Sequence, residues 1–232
     1  MPESTYRWIL FDADNTLLDF DSSERQALQK TLEENGLPYD DSVLTLYNQI
    51  NKACWNAFES GQISRQQLRT LRFEQFFAAI DATADIPVFA QQYLCYLSQS
   101  AYLIEGAGHL LAQLHSRYQM ALITNGLKDV QRSRFELSGI QHFFREVIIS
   151  DEAGFSKPHT GFFDFTFEKI GNPAREEVIV VGDSLNADIG GGNAYGLHTC
   201  WYNPEKSGNT SGISPTYEIH ELSELRHLLL AE

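Results

Sequence analysis

Two aspartates stand one residue apart, Asp12 and Asp14, where the apolar run Trp8–Phe11 ends and Asn15-Thr16 follows. A carboxylate at the end of a buried strand loses its water and repels its neighbour, so a cation or a reaction must offset the cost. Three further stretches follow apolar runs: Thr124-Asn125-Gly126, Ser156-Lys157-Pro158, and Gly182-Asp183-Ser184 with Asp188 a turn later. Asp12, Asp183 and Asp188 offer only oxygen, which hard cations prefer, and Mg²⁺ keeps waters and takes few carboxylates. Lys157 and the Thr124 hydroxyl offer donors for an oxyanion. The loop Thr124–Gly126 can aim backbone N–H groups at phosphate, with Gly126 permitting close approach. A cation, a lysine and a hydroxyl around a carboxylate suit phosphoryl transfer, where positioning and charge neutralisation dominate.

Taken singly, each signal has a bland counterpart. Paired aspartates occur in ordinary turns and caps, a lone lysine is usually solvated, and threonine favours strands. The combination of Asp12-x-Asp14-x-Thr16 with the later aspartate motif at a second strand end makes the bland readings fail together. Asp188 stays open between two roles, an N-cap and a metal-site carboxylate. The seven histidines have no ligand spacing with one another or with the cysteines.

Those residues need a scaffold that brings strand ends together. Apolar runs of strand length recur at Trp8–Phe11, Met120–Ile123, Val147–Ile149, Val178–Val181 and Leu197–Trp201. They are continuous rather than alternating, as in strands buried on both faces. Helical segments lie between them at Gly108–Tyr118, Leu127–Ser138, Thr160–Ile170 and Asp188–Tyr195. This alternation predicts an α/β domain, a Rossmann-like parallel sheet with helices on both faces, whose ligands bind beyond the carboxyl ends of the strands. Between the first two strands the chain reads as helices only: Ser22–Asn35, Asp41–Ser60, Ser64–Ile80 and Val88–Ala101, with Ser64 as an N-cap. The expected domains are therefore an α/β core of residues 1–17 and 104–232 and an inserted all-helical domain of residues 18–103. Asn203–Pro215, rich in Pro, Gly, Ser and Asn, is expected to be a surface loop.

Composition narrows the function classes. The 232 residues carry a net charge of −14, which argues against a nucleic-acid polymer as partner but not against a small anionic ligand. The three cysteines, Cys54, Cys95 and Cys200, fit no metal or redox spacing and suit a reducing cytosol. With no signal peptide and no apolar segment of membrane-spanning length, a cytoplasmic protein without a membrane partner is expected.

In their order and spacing, FDADNT, LITNG, SKP and VVGDSLNAD resemble the four motifs of the haloacid dehalogenase superfamily of phosphohydrolases. The helical insert resembles the small helical cap of that superfamily. The stretches NKACWNAFESGQIS, RFEQF and HTCWYNPEKSGNTSGISPTYEI look like its pyrimidine 5′-nucleotidase subgroup. The resemblance implies Asp12 as nucleophile forming an aspartyl-phosphate, and Asp14 as general acid and then general base. It implies Mg²⁺ held by Asp12, the backbone carbonyl of Asp14 and Asp183, with Asp188 supporting a metal-bound water. It implies Thr124, Lys157 and the backbone N–H of Asn125 as phosphate ligands. The implied substrate is a nucleoside 5′-monophosphate, pyrimidine-preferring, such as UMP, dUMP or dTMP. The alternatives are phosphoglycolate, a sugar phosphate, or a 2-haloacid, and the superfamily's dehalogenases lack an aspartate at the position of Asp14. A binding module on a dead scaffold would have lost a catalytic aspartate.

Two features depart from the pattern. Asn15 stands where many relatives carry Gly or Glu. Gly190-Gly191-Gly192 either weakens a helix by about 1 kcal/mol per residue relative to Ala or permits a tight turn. Of the insert's residues, Trp55, Phe58, Phe73, Phe76 and Phe77 have the spacing of a helical core, and Arg72 and Phe20 are candidates for substrate contact.

Overall fold

The computed structural model describes residues 6–230. The chain divides into two compact units, one of Met1–Phe20 with Ala101–Glu232 and one of Asp21–Ser100. The junctions fall at Phe20/Asp21 and Ser100/Ala101. Leu18 bridges both Asp14 and Leu103, which holds both linkers to the sheet-bearing unit.

Along the chain the elements are β1 (Trp8–Asp12), α1 (Phe20–Glu34), α2 (Asp41–Glu59), α3 (Arg65–Ala79), α4 (Ile86–Ser98) and α5 (Ala107–Leu114). They continue with β2 (Gln119–Thr124), α6 (Lys128–Ser138), β3 (Glu146–Ile149), α7 (Ser150–Ala153), α8 (Thr160–Ile170) and β4 (Val178–Gly182). A π-helical turn, Leu185–Gly190, leads into α9 (Gly191–Tyr195), and β5 (His198–Tyr202), β6 (Tyr217–Ile219) and α10 (Leu222–Leu230) are the last elements of the described residues.

The six strands form one sheet in the order β3-β2-β1-β4-β5-β6. All five pairings are parallel. Both faces are buried, which is why the strands read as unbroken apolar runs. On one face Ile9, Phe11, Met120, Leu122, Ile179 and Val181 pack with Leu110, Leu114, Phe135 and Leu225 of the helices. On the other, Trp8, Leu10, Ala121, Ile123, Val178 and Val180 pack with Phe162, Phe163, Phe167 and Tyr195. From β1 the chain builds outward to β2 and β3, then crosses back past β1 to β4 and builds the other way, so a topological switch point lies at the carboxyl ends of β1 and β4.

The expected strands were each found with ends shifted by a residue or so. The edge strand β6 and helix α10 were not anticipated. A three-residue edge strand with an intermediate-exposed-buried pattern has no continuous apolar run to announce it.

The second unit holds α2, α3, α4 and the body of α1. Ser64 caps α3 in a reciprocal capping box with Gln67, as its position before an apolar-periodic segment predicts. Phe73, Phe76 and Phe77 are buried with Tyr47 and Tyr93, whereas Trp55 and Phe58 are only partly buried and meet edge-to-face at 5.8 Å. Arg72, a candidate for substrate contact, is buried within this unit instead. Its Nη1 donates to Asn51 Oδ1 at 3.0 Å, Asn51 Nδ2 donates to Glu24 Oε1 at 2.6 Å, and Tyr93 OH donates to the same oxygen at 3.2 Å. Arg72 therefore balances a buried glutamate.

Candidate active site

Each strand flanking the switch point delivers one group of the site. Asp12 is the last residue of β1, Thr124 the last of β2, and Asp183 follows Gly182, the last of β4. Asn15, in the loop after β1, has φ 57°, in the left-handed region that asparagine tolerates. Its Oδ1 accepts the Phe20 N–H at 3.0 Å, which turns the chain away from the sheet after the aspartate pair. Asparagine thus does here what a glycine's backbone freedom would allow.

Lys157 reaches the centre from the loop before α8 and is 1% exposed. Its Nζ donates to Asp12 Oδ1 at 2.6 Å, to Asp188 Oδ1 at 2.7 Å and to the Ile123 carbonyl at 3.1 Å. These three bonds occupy the three ammonium donors. Asn125 fixes the base of this lysine: its Oδ1 accepts the Lys157 N–H at 2.8 Å and its Nδ2 donates to the Lys157 carbonyl at 2.9 Å. The Asn125 side chain is thus a clamp on the lysine, in addition to whatever its backbone N–H does.

Asp188 is fully buried. It is not an N-cap, because that role belongs to Ser184, whose hydroxyl accepts from Ala187 N at 3.1 Å. Asp188 instead turns back within the π-helical segment, and its Oδ2 accepts from Ser184 N–H at 3.1 Å. Gly182 makes room for it, since a Cβ there would lie 2.3 Å from Asp188 Cγ. Trp201 Nε1 donates to the Asp183 carbonyl at 2.8 Å and holds the neighbouring loop.

The carboxylate oxygens of Asp12, Asp183 and Asp188 lie within 4.8 Å of one another. Burial is the main cause that raises the Asp12 pKa. Lys157 opposes it, Asp188 and Asp14 add to it, and the carboxyl is pushed up to about 7. Burial, then Asp12 and Asp188, hold the Asp183 carboxyl well above its ordinary range. Burial works to lower the Lys157 pKa, but Asp12 and Asp188 outweigh it, and the ammonium stays charged. Two buried carboxylates, Asp12 and Asp188, and the half-buried Asp183 stand against one lysine and form an all-oxygen donor set short of positive charge. That is the chemistry of a hard divalent cation site, and Mg²⁺ fits it.

The side chain of Asp14 lies apart from this cluster. Its Oδ2 accepts from Gln131 Nε2 at 2.9 Å, and Arg134 Nη1 pairs with its Oδ1. Gln131 Nε2 also donates to Thr124 Oγ1 at 2.7 Å. Thr16 Oγ1 lies 3.3 Å from Asp12 Oδ2 as a donor. Gln131 and Arg134 escaped the sequence reading. The signal was there: Val130 and Phe135 mark the buried stripe of α6, and Gln131 and Arg134 lie on that stripe.

Comparison with known proteins agrees with this geometry. The model of the haloacid dehalogenase-like hydrolases matches residues 9–202. Pyrimidine 5′-nucleotidase PynA of Streptococcus pneumoniae is 37% identical, over 95% of this chain and 93% of its own. Pyrimidine 5′-nucleotidase YjjG of Escherichia coli is 33% identical, over 96% of this chain and 97% of its own. A crystal structure of YfnB from Bacillus subtilis, described as bound to magnesium, superposes with a TM-score of 0.92 at 38% identity, covering 97% of this chain and 98% of that one. The chain belongs to the haloacid dehalogenase-like hydrolases.

Among the described residues, no helix is long and apolar enough to cross a membrane.

Proposed function

We propose that the protein is a cytoplasmic Mg²⁺-dependent phosphatase that hydrolyses nucleoside 5′-monophosphates, with a preference for pyrimidines, through an aspartyl-phosphate on Asp12. One observation carries the chemistry. Asp12 sits at the switch point with Lys157 on one of its oxygens, Asp183 and Asp188 beside it and the Thr124 hydroxyl on the adjacent strand end. The substrate class is supported by the similarity to PynA and YjjG along nearly the whole chain.

Asp12, Asp183 and Asp188 would hold Mg²⁺, with the Asp14 backbone carbonyl as a further ligand, and the ion would neutralise charge on the transferring phosphoryl group. The protein's own groups do the rest. An Asp12 oxygen attacks phosphorus, the bond to the nucleoside oxygen breaks, and Asp14 gives that oxygen a proton. Water then attacks the acyl phosphate. Asp14 takes the water proton, the bond between Asp12 and phosphorus breaks, and inorganic phosphate leaves with the alcohol already released. Thr124 and the Asn125 N–H bind phosphoryl oxygens. Lys157 adds its positive charge, and a direct hydrogen bond from it to phosphate requires one of its three present bonds to open. Asp14 favours ester hydrolysis over dehalogenation, because it supplies the proton that an alkoxide leaving group needs.

The test is inorganic phosphate release from UMP, dUMP, dTMP, purine monophosphates, phosphoglycolate and hexose phosphates, with Mg²⁺ and with chelator, for wild type and Asp12→Asn. Release only by wild type with Mg²⁺, fastest for pyrimidine monophosphates, is the expected result. Fastest release from phosphoglycolate or a sugar phosphate would overturn the substrate class, and halide release from 2-haloacids without phosphate release would overturn the reaction.

A further inference from the structure

Gln131 and Arg134 lie on one face of α6 and reach the site through Asp14 and Thr124. Both are buried, Gln131 at 1% and Arg134 at 0% exposure, whereas the Asp14 side chain they hold is 26% exposed. The ring of Phe20 lies 5.4 Å from the Arg134 guanidinium. Burying a charged guanidinium and an amide at this depth is costly unless their donors are well used.

The donor pattern is directional. Arg134 Nη1 can only donate, and it meets Gln131 Oε1 at 3.0 Å as well as Asp14 Oδ1. That fixes which end of the Gln131 amide faces which way. Its Nε2 then has two N–H groups, one for Asp14 Oδ2 at 2.9 Å and one for Thr124 Oγ1 at 2.7 Å. Thr124 Oγ1 accepts a second bond, from Gly126 N at 3.1 Å. A hydroxyl has two acceptor sites and one proton. With both acceptor sites filled, what Thr124 has left to offer is its O–H, which suits an anion and rejects a donor. Both oxygens of Asp14 are likewise held from the buried side, which leaves lone pairs on the exposed side.

We propose that Gln131 and Arg134 are positioning residues for the hydrolysis. Arg134 orients the Gln131 amide and anchors Asp14, while Gln131 sets Thr124 as a donor to a phosphoryl oxygen and aims Asp14 at the departing ester oxygen. This rests on the phosphatase reading of the site.

The test compares kcat/KM for UMP, whose alkoxide leaving group needs a proton, with kcat/KM for p-nitrophenyl phosphate, whose phenolate does not. This ratio reports the steps up to departure of the alcohol. For Arg134→Met the loss on UMP is expected to be about 100-fold, the scale of general acid catalysis, and the loss on p-nitrophenyl phosphate less than about 10-fold. Arg134→Lys, which keeps a cation, should recover most of the UMP activity. Gln131→Met should add a roughly 10-fold weaker inhibition by inorganic phosphate, since Thr124 loses its orientation. Circular dichroism checks that each variant folds. If Arg134→Met does not fold, Arg134→Gln carries the same comparison, because it keeps a polar side chain but loses the charge that anchors Asp14. Equal losses on both esters, or no loss on either, would overturn the inference while leaving the phosphatase reading in place. Wild type inactive on both esters would overturn that reading and the inference with it.

Discussion

Asp12 and Asp188 share the ammonium of Lys157, and Asp183 lies in the same cluster. In metal-free protein this arrangement is short of positive charge. Folded Asp12 keeps its proton up to about pH 7, whereas the unfolded side chain releases it near 3.8. Between those values the folded chain binds more protons, so stability falls as pH rises. The contribution of this group is fully present below its unfolded pKa and is lost as pH climbs through about 7. Asp12→Asn has no such proton to lose. In chelator at pH 8 it is expected to melt higher than wild type by roughly 2–4 °C, and to lose that advantage in acid near the unfolded pKa. A melting difference that ignores pH would contradict the charge argument. Lys157→Met should act in the opposite sense. It strands the carboxylates in a buried site and is expected to cost about 3–5 kcal/mol in urea unfolding at neutral pH. The cost should shrink in mild acid, where the carboxyls take up protons, and an equal loss at both pH values would rule out a charge origin.

At the scale of elements, two of the three glycines after Asp188, Gly191 and Gly192, are explained by close approach. Gly191 opens α9, and a Cβ on it would lie 2.8 Å from Phe163 Cε2 and 3.0 Å from Pro158 Cα. Gly192 is similarly pressed, 2.7 Å from Thr199 Cγ2. Glycine here lets α9 sit against the loop that carries Lys157. In an unhindered helix, Gly→Ala gains about 1 kcal/mol. Gly191→Ala is expected instead to destabilise by about 1–3 kcal/mol, the cost of overpacking, read from denaturant unfolding. A gain in stability would mean that the neighbours move aside freely. The parallel strands were legible because burial on both faces makes them continuous apolar runs. β6 was not, because an edge strand of three residues has no such run. The segment Asp188–Tyr195 reads as one helix, yet it divides into a π-helical turn and α9. That division lets Asp188 turn back to Ser184 N–H and Lys157.

For the molecule as a whole, the cysteines report burial. Cys95 is exposed, while Cys54 in the helical unit and Cys200 on β5 are buried. Burial pushes the Cys200 thiol up to about 12, and burial raises the Cys54 thiol as well. An aromatic disulfide reagent at pH 8 should therefore label one thiol quickly and the other two only on unfolding. Fast labelling of all three would mean that one unit opens readily. The parallel sheet and the meeting of Asp12, Thr124, Lys157 and Asp183 at its strand ends were readable from one dimension, because burial periodicity and short motifs at strand ends are local properties of a chain. The side-chain partners of Asp188, Asn125, Gln131, Arg134 and Arg72 were not. Each residue depends on a partner distant in sequence, as when Arg134 meets Asp14 across 120 positions. A buried polar side chain acquires its meaning only from the group that satisfies it, and folding alone supplies that group.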